Sequence, residues 1–374
     1  MNRYLGTALA GCLGLTLLAS AAVAETYVAS TWLPQSYELS SQGYADTFDR
    51  IREKSGGALN FEIHYSGALL PPRTTLSGVK DGVAHVGIVY PPYTPAEVPL
   101  SNFLNSASFL SDDSLVAALA WTELNFTSDA LKAEWQGRGV VFGGGYATPV
   151  YSLLCNTQVV TLDQVRGKRF RTASTAHSEL VSELGGSPVS VPIGDAYSGM
   201  QRGSLECAVA DATNLVSASF NEVVKHITLA PLGVVIGATW VYNADFWANV
   251  STGERALLLD EMALGIIRTQ THYANNVASA LKDAEDRGIQ ISEPDADLQA
   301  SIQEYKTKYL QALIAAGAGN LDASEAKALI GSYLNTQEKW ASLLEGVDRN
   351  DENAILAIIK ENLLSQLDPA SYGM

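Results

Sequence analysis

The sequence contains few of the side chains that catalytic and metal sites use. Its 374 residues include three cysteines and five histidines, and the histidines occur singly, without a His-Glu-x-x-His pair or a Cys/His cluster at metal-ligand spacing. A Gly-x-Ser-x-Gly nucleophile elbow is also missing. The sequence therefore predicts no metal site, and a secreted hydrolase or other cleft enzyme is a less favoured class of protein. The five histidines are His64, His85, His177, His226 and His272.

A phosphate-binding loop is not indicated either. Three glycines, Gly143, Gly144 and Gly145, follow a predicted strand, but they lack the Gly-x-Gly-x-x-Gly spacing and no clear helix begins behind them. We interpret them as a turn at the end of the strand.

Basic residues are scarce relative to acidic ones. The chain has 24 Lys and Arg against 40 Asp and Glu, a formal net charge of −16 at pH 7. Loss of Arg3 with the export signal described below would leave 23 basic residues against 40 acidic ones, a net charge of −17. This excess of negative charge argues against nucleic acid or an anionic membrane as a partner.

Long apolar runs are confined to the N-terminus. Arg3 precedes the apolar residues 13–22, which end in Ala22-Val23-Ala24, the pattern of an export signal cleaved after Ala24. A lipoprotein anchor at Cys12 is the alternative, disfavoured because too little apolar sequence precedes it. No other segment supplies the roughly 20 apolar residues of a membrane helix. The sequence therefore predicts a soluble periplasmic protein without direct membrane insertion.

The mature chain would have 374 − 24 = 350 residues, which is more than one core usually serves and predicts two domains. Its two cysteines, Cys155 and Cys207, would lie in an oxidising compartment. We predict a disulfide between them. A pair of buried free thiols is the alternative, because sequence alone does not give their separation.

Strand and helix patterns alternate along most of the chain, which is typical of a doubly wound α/β fold. Residues 60–65, for example, alternate apolar and polar side chains as a half-covered strand does. Strands are predicted at 26–30, 60–65, 83–89, 139–142, 150–154, 168–172, 189–191 and 205–210, and helices at 36–54, 114–124, 176–184 and 195–202.

The C-terminal part is predicted to be helical. Residues 252–287 contain no proline and one glycine, Gly265, with apolar positions at helical spacing. At ~1.5 Å per residue they would form a helix of about 50 Å, long enough to span two lobes. An interruption near Gly265 is the alternative. Further helices are predicted at 298–316, 325–344 and 353–367.

A set of short motifs in a fixed order gives the chain its family resemblance. They are Ser55-Gly56-Gly57, Tyr65-Ser66-Gly67-Ala68-Leu69, Gly78-Val79-Lys80-Asp81-Gly82, Gly167-Lys168-Arg169-Phe170-Arg171-Thr172, Gly186-Ser187-Pro188-Val189, Asp195-Ala196-Tyr197 and Gln201-Arg202-Gly203-Ser204-Leu205-Glu206. In these motifs, and in the long helix after Thr252, the sequence resembles the DctP-type solute-binding proteins of tripartite ATP-independent periplasmic (TRAP) transporters.

The resemblance implies an α/β, two-lobed periplasmic-binding-protein-like (type II) fold with a long lobe-spanning helix. It implies a small organic acid as ligand, TRAP membrane permease subunits as partners and no cofactor. The expected division is lobe 1 at 25–149, with about 213–250 returning to it, and lobe 2 at 150–212, with the spanning helix and C-terminal helices in about 251–374. The segment after Gly317 is longer than in typical relatives. An ABC-type binding protein is the alternative.

The resemblance also implies that Arg171, at the end of a strand, is the main ligand contact. Ligands of open α/β sheets bind outside the carboxyl ends of strands, where a guanidinium can hold a carboxylate by two parallel hydrogen bonds. A solvated surface arginine is the alternative. We interpret Arg169 and Lys168 as surface residues.

Two departures from the family pattern bear on the ligand. Tyr151 stands where dicarboxylate-binding and sialic-acid-binding relatives have a second arginine, which favours a monocarboxylate, and Tyr151 is a candidate contact. A common asparagine is replaced by Ala210, with Asp211 and Asn214 just beyond it. Asp211 would either cap the next helix or reach a hydroxyl or amine of the ligand.

Aromatic side chains are the remaining candidate contacts. By the resemblance, Tyr90, Tyr93 and Trp32 face the ligand as a stacking wall, although a core contact explains Tyr93 equally well. Tyr146 and Trp240 are weaker candidates. We expect Tyr197 to be structural, beneath the cleft.

Overall fold

The computed structural model describes residues 26–319 and 321–374. The predicted export signal, its cleavage site and the alternative anchor at Cys12 lie outside the described residues. Within the described ranges, no helix is both long enough and apolar enough to cross a membrane.

Two β-sheets organise the chain. The first has the strand order β2-β1-β3-β10-β4 and the second the order β11-β9-β5-β8-β6-β7. The strands are β1 Thr26–Ser30, β2 Asn60–His64, β3 Val86–Val89, β4 Val140–Ala147, β5 Ser152–Cys155, β6 Arg169–Thr172, β7 Ser187–Ser190, β8 Cys207–Ala210, β9 His226–Thr228, β10 Ile236–Asn243 and β11 Gln290–Ser292.

Helices cover both sheets and form the C-terminal part. The α-helices are α1 Glu38–Ser40, α2 Thr47–Lys54, α3 Thr75–Lys80, α4 Pro99–Ser108, α5 Ser114–Thr127, α6 Asp129–Gln136, α7 Leu162–Val165, α8 Thr175–Glu183, α9 Ile193–Gln201, α10 Asn214–Ser217, α11 Ala244–Asn249, α12 Thr252–Asp286, α13 Ala296–Ala316, α14 Ala323–Leu343 and α15 Glu352–Asn362. A π-helical segment, Ser41–Asp46, joins α1 to α2, and 3₁₀ turns lie at Pro91–Tyr93, Phe220–Glu222 and Leu364–Gln366.

The two sheets are the centres of two lobes, and the predicted α/β two-lobed fold is confirmed. Both sheets are mixed, because β10 runs antiparallel to β3 and β4 and β5 runs antiparallel to β8 and β9. The chain passes from the first sheet to the second between Ala147 and Ser152 and returns between Thr228 and Ile236. The segment expected to return to lobe 1 at about 213 therefore does so later, since β9 still belongs to the second sheet.

The long helix α12 is continuous, as predicted. Its 35 residues extend about 52 Å at ~1.5 Å per residue, and Ser251 and Glu254 form a capping box at its start. It packs on β4 and α2 of the first lobe and on α10 and β11 of the second. Gly265 does not interrupt it. A side chain there would meet the ring of Trp240 and the hydroxyl of Thr47, so glycine permits close packing.

The three consecutive glycines lie inside β4, so their interpretation as a terminal turn was wrong. Large side chains occupy the space that their Cβ atoms would take, namely Tyr242 at Gly143, Met262 at Gly144 and Trp121 at Gly145. Gly144 also has φ of +146°, a conformation that favours glycine. The run of glycines is therefore a packing surface in the middle of a strand.

The predicted disulfide is confirmed. Cys155 on β5 and Cys207 on β8 are directly opposite each other in the antiparallel pair and are bonded. Both are buried. The bond therefore fastens two adjacent central strands of the second sheet.

The segment after Gly317 packs on the first lobe. Helix α14 lies against α5 and α15 against α12. The terminal residues are held by hydrogen bonds from the Tyr372 hydroxyl to the Phe142 carbonyl and from Arg255 Nε to the Pro369 carbonyl. This segment extends the core of the first lobe, so the expectation that the C-terminal helices belong to lobe 2 was wrong for α14 and α15.

Candidate ligand-binding site

The side chain of Arg171 lies in a cavity between the two lobes. Arg171 is the third residue of β6, and its side chain is buried, with 1% of its surface exposed. Residues of both lobes line the same cavity. The alternative of a solvated surface arginine is therefore wrong.

The Arg171 guanidinium is held by neutral acceptors. Nε donates to the Val191 carbonyl at 3.0 Å, Nη1 to the Val209 carbonyl at 3.1 Å and Nη2 to the Tyr93 hydroxyl at 3.3 Å. Within residues 26–319 and 321–374 it forms no ion pair with an acidic side chain. Three of its five N–H groups are thus engaged, which leaves one N–H on each terminal nitrogen to donate to a ligand.

Two tyrosines join the lobes across this cavity. The Tyr93 hydroxyl accepts from Arg171 and, at 3.2 Å, from the Ile193 backbone N–H. The Tyr37 hydroxyl donates to the Asn214 side-chain oxygen at 2.7 Å. Tyr37 and Tyr93 precede β4 and belong to the first lobe, whereas their partners belong to the second. These bonds hold the lobes together around the cavity.

Aromatic rings form much of the cavity wall. Trp32 and Tyr93 meet edge to face at a centroid distance of 5.4 Å, and Tyr90 and Tyr93 at 4.8 Å. Tyr146 and Tyr151 complete this wall. Five of the six tryptophans lie in the core at under 2% exposure, and Trp32 is the one that lines the cavity.

Asp211 serves the turn before α10 and also faces the cavity. Its carboxylate accepts from the Thr213 N–H and hydroxyl and from the Asn214 amide, and it lines the cavity with 3% exposure. Burial raises the pKa of Asp211, and the bonds from Thr213 and Asn214 oppose that shift. Thr213 is the N-cap residue of α10 and no side chain caps that helix, so the expectation that Asp211 caps it is wrong, and a contact of Asp211 with the ligand stays a prediction.

A second buried carboxyl, that of Glu38, lies near the cavity wall on the first lobe. Its Oε1 accepts from the Asn276 amide at 2.8 Å, while Oε2 is buried and has no partner among the described residues. Burial raises the pKa of Glu38 to about 7, the Asn276 bond lowers it, and the charge of Asp211 raises it further. No pattern in the sequence points to this residue, because a lone Glu at the start of a helix is ordinary.

His177 contacts both segments in which the chain passes between the two sheets, the first crossing at 148–151 and the return crossing at 229–235. Its Nε2 is 3.0 Å from the Leu232 carbonyl on the return crossing, and its Nδ1 is 2.8 Å from the Ser174 hydroxyl. A carbonyl can only accept, so Nε2 carries the proton and Nδ1 accepts from Ser174. Burial lowers the pKa of His177 to about 4. Its ring also lies 5.3 Å from that of Tyr151 on the first crossing.

Most of the predicted site residues meet at this cavity. Trp240 does not, because its ring packs in the first-lobe core against Gly265 and its Nε1 donates to the Gly43 carbonyl. Tyr197 lies apart from the cavity, is partly exposed and donates its hydroxyl to Glu222. Arg169 is exposed and pairs with Glu206, and Lys168 is partly exposed. The predicted residues that line the cavity are Trp32, Tyr90, Tyr93, Tyr146, Tyr151, Arg171, Asp211 and Asn214.

Other lining residues were not anticipated. Tyr37 follows the first strand closely and could have been inferred from its nearness to Trp32. Tyr273 carries no such signal, because it reaches the cavity from the middle of α12. The unanticipated residues are Leu33, Tyr37, Leu39, Thr148, Ile193, Val235 and Tyr273.

Comparison of the sequence with models of known protein families assigns the chain to a family. The model for DctP, described as bacterial extracellular solute-binding protein, family 7, matches residues 36–315, about three quarters of the chain. The chain belongs to the DctP family.

Two curated relatives match part of the chain. A solute-binding protein of Albidiferax ferrireducens is 24% identical over 189 residues, which are 49% of this chain and 53% of the relative. The C4-dicarboxylate-binding periplasmic protein DctP of Rhodobacter capsulatus is 27% identical over 159 residues, 41% of this chain and 46% of the relative. The match spans about half the length of each.

Solved structures of TRAP solute-binding proteins share the DctP fold of this chain. One from Bordetella bronchiseptica, with bound (R)- and (S)-mandelate, has a TM-score of 0.73 at 20% identity and covers 84% of this chain and 99% of its own. One from Rhodoferax ferrireducens, with copurified benzoate, has a TM-score of 0.75 at 15% identity and covers 85% and 99%. DctP from Bordetella pertussis that binds pyroglutamic acid (DctP7) has a TM-score of 0.68 at 18% identity and covers 83% and 100%. The DctP family is one of extracellular solute-binding proteins, which favours a binding role over the enzyme alternative.

Proposed function

We propose that this protein captures a small monocarboxylate between its lobes and delivers it to the permease of a TRAP transporter. In this proposal the chain is exported to the periplasm by its N-terminal signal, which is removed after Ala24.

The unpaired, buried guanidinium of Arg171 carries this proposal. Burying a cation without an anion is costly, and a ligand carboxylate that accepts from its two remaining N–H groups would offset that cost. Charge-assisted bonds contribute roughly 1.5 to 3 kcal/mol each. Two of them would supply much of the roughly 8 kcal/mol of a micromolar affinity.

The rest of the wall favours a single negative charge on a flat or apolar body. Tyr151 supplies no second cation, and the Asp211 carboxylate would repel a second ligand carboxylate. Trp32, Tyr90 and Tyr93 offer aromatic surface to an apolar body. Mandelate, benzoate and pyroglutamate, the ligands of the three similar structures, are monocarboxylates, whereas the Rhodobacter capsulatus relative is a C4-dicarboxylate-binding protein.

Opening and closing of the lobes would control access to this site. We assign the hinge to the crossings at 148–151 and 229–235 and to α12. At these crossings the Tyr151 N–H donates to the Gly233 carbonyl and the Leu232 N–H donates to the Tyr151 carbonyl. The division into lobe 1 and lobe 2 is part of this proposal, with the return to lobe 1 placed between Thr228 and Ile236 and the segment after Gly317 assigned to lobe 1. Ligand contacts from both lobes would stabilise the closed form that the permease recognises.

A thermal-shift screen would test the ligand class. Benzoate, (R)-mandelate and pyroglutamate are expected to raise the unfolding temperature, since binding to the folded state stabilises it by mass action, and succinate is expected to have little effect. A shift with succinate alone would make a dicarboxylate the ligand. No shift with any organic acid would contradict the proposed function.

Arg171→Ala would test the anchor. It should weaken acid binding by at least about 2 kcal/mol, roughly 30-fold, in calorimetric titration. Arg169→Ala is the matched control, because Arg169 is on the same strand but exposed and paired with Glu206, and its affinity should match the wild type. Equal affinities for all three proteins would remove Arg171 from the site.

An ABC-type permease is the alternative partner. Membership of the DctP family and the continuous lobe-spanning α12 favour a TRAP permease. Uptake of the ligand acid by membrane vesicles of the producing cells, supplied with this protein, should depend on an ion gradient. Dependence of that uptake on ATP would support the alternative.

A further inference from the structure

The hydroxyl of Tyr90 is a buried polar group without a partner. Tyr90 directly follows β3, and 3% of its surface is exposed. Its hydroxyl contacts neither donor nor acceptor within residues 26–319 and 321–374, although the residue lines the same cavity as Arg171. Leaving a buried hydroxyl unsatisfied costs about 1 to 3 kcal/mol, so this group calls for an explanation.

Two other tyrosines of the cavity have their hydroxyls engaged. Tyr37 donates to Asn214, and Tyr93 accepts twice. The Tyr90 hydroxyl differs from these two. The Tyr90 ring meets the Tyr93 ring at a centroid distance of 4.8 Å, and the Tyr93 hydroxyl accepts from Arg171. Burial raises the pKa of Tyr90, and the Arg171 charge opposes that shift. Tyr90 therefore places an unused hydroxyl on the cationic side of the cavity.

The unused groups on this side are hydrogen-bond donors. Arg171 has one free N–H on each terminal nitrogen, and the Tyr93 oxygen accepts two bonds while its own hydrogen is not engaged by any described residue. With the Tyr90 hydroxyl, four donors are available. A carboxylate has about four lone-pair sites on its two oxygens, so one carboxylate can accept from all four.

We propose that the Tyr90 hydroxyl donates a hydrogen bond to the carboxylate of the bound acid, so that each carboxylate oxygen accepts from one Arg171 nitrogen and from one tyrosine. This inference rests on the proposed function and deepens it. It makes Tyr90 a determinant of carboxylate recognition through its hydroxyl, in addition to the aromatic surface of its ring. An uncharged analogue with one oxygen, such as benzamide, cannot accept from all four donors.

Tyr90→Phe tests the inference, because it removes the hydroxyl and keeps the ring. Affinity for benzoate and (R)-mandelate, measured by calorimetric titration, should fall about ten-fold or more, as expected for a hydrogen bond to a charged group. The unfolding temperature without added acid should stay the same or rise, since an unsatisfied buried group is removed. If the hydroxyl were purely structural, its removal would leave the affinity unchanged and would lower the unfolding temperature.

Tyr44→Phe is the matched control. The Tyr44 hydroxyl is likewise buried and without a partner among the described residues, but it lies in the first-lobe core and does not line the cavity. Its removal should leave the affinity for both acids unchanged.

The outcomes separate this inference from the proposed function. If the wild type binds benzoate or (R)-mandelate and Tyr90→Phe binds it equally well, the inference is wrong and the proposed function stands. A lower unfolding temperature of Tyr90→Phe without acid also overturns the inference. If the wild type binds no organic acid, the proposed function is wrong, and the inference that rests on it is wrong as well.

Discussion

The Tyr37 hydroxyl of the first lobe donates a 2.7 Å hydrogen bond to the Asn214 side chain of the second. Asn214 in turn donates to the Asp211 carboxylate at 2.9 Å. Both ends of the Tyr37–Asn214 bond are buried beside the cavity. A contact between lobes thus continues directly into a polar group of the candidate site.

Tyr37→Phe should weaken closure of the lobes. Loss of this buried bond would cost about 1 kcal/mol, which corresponds to about five-fold weaker binding of benzoate because binding favours the closed form. Calorimetric titration measures the affinity, and small-angle scattering with saturating benzoate should still give the closed radius of gyration. Unchanged affinity would mean that this contact does not contribute to closure.

Gly265→Ala should destabilise the protein although alanine is the better helix former. A Cβ at this position would lie 2.6 Å from the Thr47 hydroxyl oxygen and 2.9 Å from the Trp240 ring. Overpacking of this kind costs about 1 to 3 kcal/mol, more than the roughly 1 kcal/mol gained in helix propensity. Urea unfolding measures the difference.

Gly331→Ala is the control for that substitution. Gly331 lies inside α14, and a Cβ there would have nothing within 4 Å, so helix propensity should raise the free energy of unfolding by up to about 1 kcal/mol. Stabilisation by both substitutions would contradict the packing role given to Gly265.

Removal of the disulfide should lower stability without changing the fold. The bond closes a loop with a sequence separation of 52 residues, for which the chain-entropy model gives about 4 kcal/mol. Unfolding of the double variant Cys155→Ala, Cys207→Ala in urea should show a loss of about 2 to 4 kcal/mol. Addition of dithiothreitol should leave this variant unaffected, and an effect of the reductant on it would point to another cause.

Stability should depend on pH through Glu38. Burial raises the pKa of its carboxyl from 4.5 to about 7, so the folded state holds this proton more tightly than the unfolded state. Its contribution is therefore fully present below about pH 4.5, decreases as the pH rises, and is lost above about pH 7. The difference amounts to about 3 kcal/mol.

Glu38→Gln isolates this contribution. The amide cannot ionise, so the free energy of unfolding should fall less between pH 5 and pH 8 in the variant than in the wild type. Urea titrations at both pH values measure the two slopes. Parallel slopes would exclude Glu38 as the titrating group.

Local sequence patterns were sufficient to predict most of the helices and strands. The alternation in 60–65 and the helical spacing after Thr252 predicted β2 and α12 closely, because periodicity reflects which face of an element is buried. The observed ends of the elements differ from the predicted ones by a few residues. The strand predicted at 83–89, for example, spans Val86–Val89. The segment at 36–54 was predicted as one helix and contains a π-helical stretch. β10 was missed because its burial on both faces removes the alternation.

The candidate site was predicted only in part. The family pattern was enough to find Arg171 and Tyr151, and also the aromatic residues Tyr90, Tyr93 and Trp32. Tyr273 and Glu38 could not, since each reaches the cavity region through contacts with segments far away in the sequence. Trp240 was misplaced because the pattern of a strand does not tell which of its two faces meets the cavity and which meets α12.

The sequence by itself determined the alternation of strands and helices, through short-range periodicity. Residue chemistry predicted a disulfide between two cysteines of a chain expected to be exported, and the family pattern made Arg171 the candidate anchor. The tertiary structure alone decided that, among the described residues, Arg171 is buried without an acidic partner and the Tyr90 hydroxyl remains unsatisfied in the same cavity. Both properties depend on how distant segments enclose a shared cavity and exclude water, which local sequence does not specify.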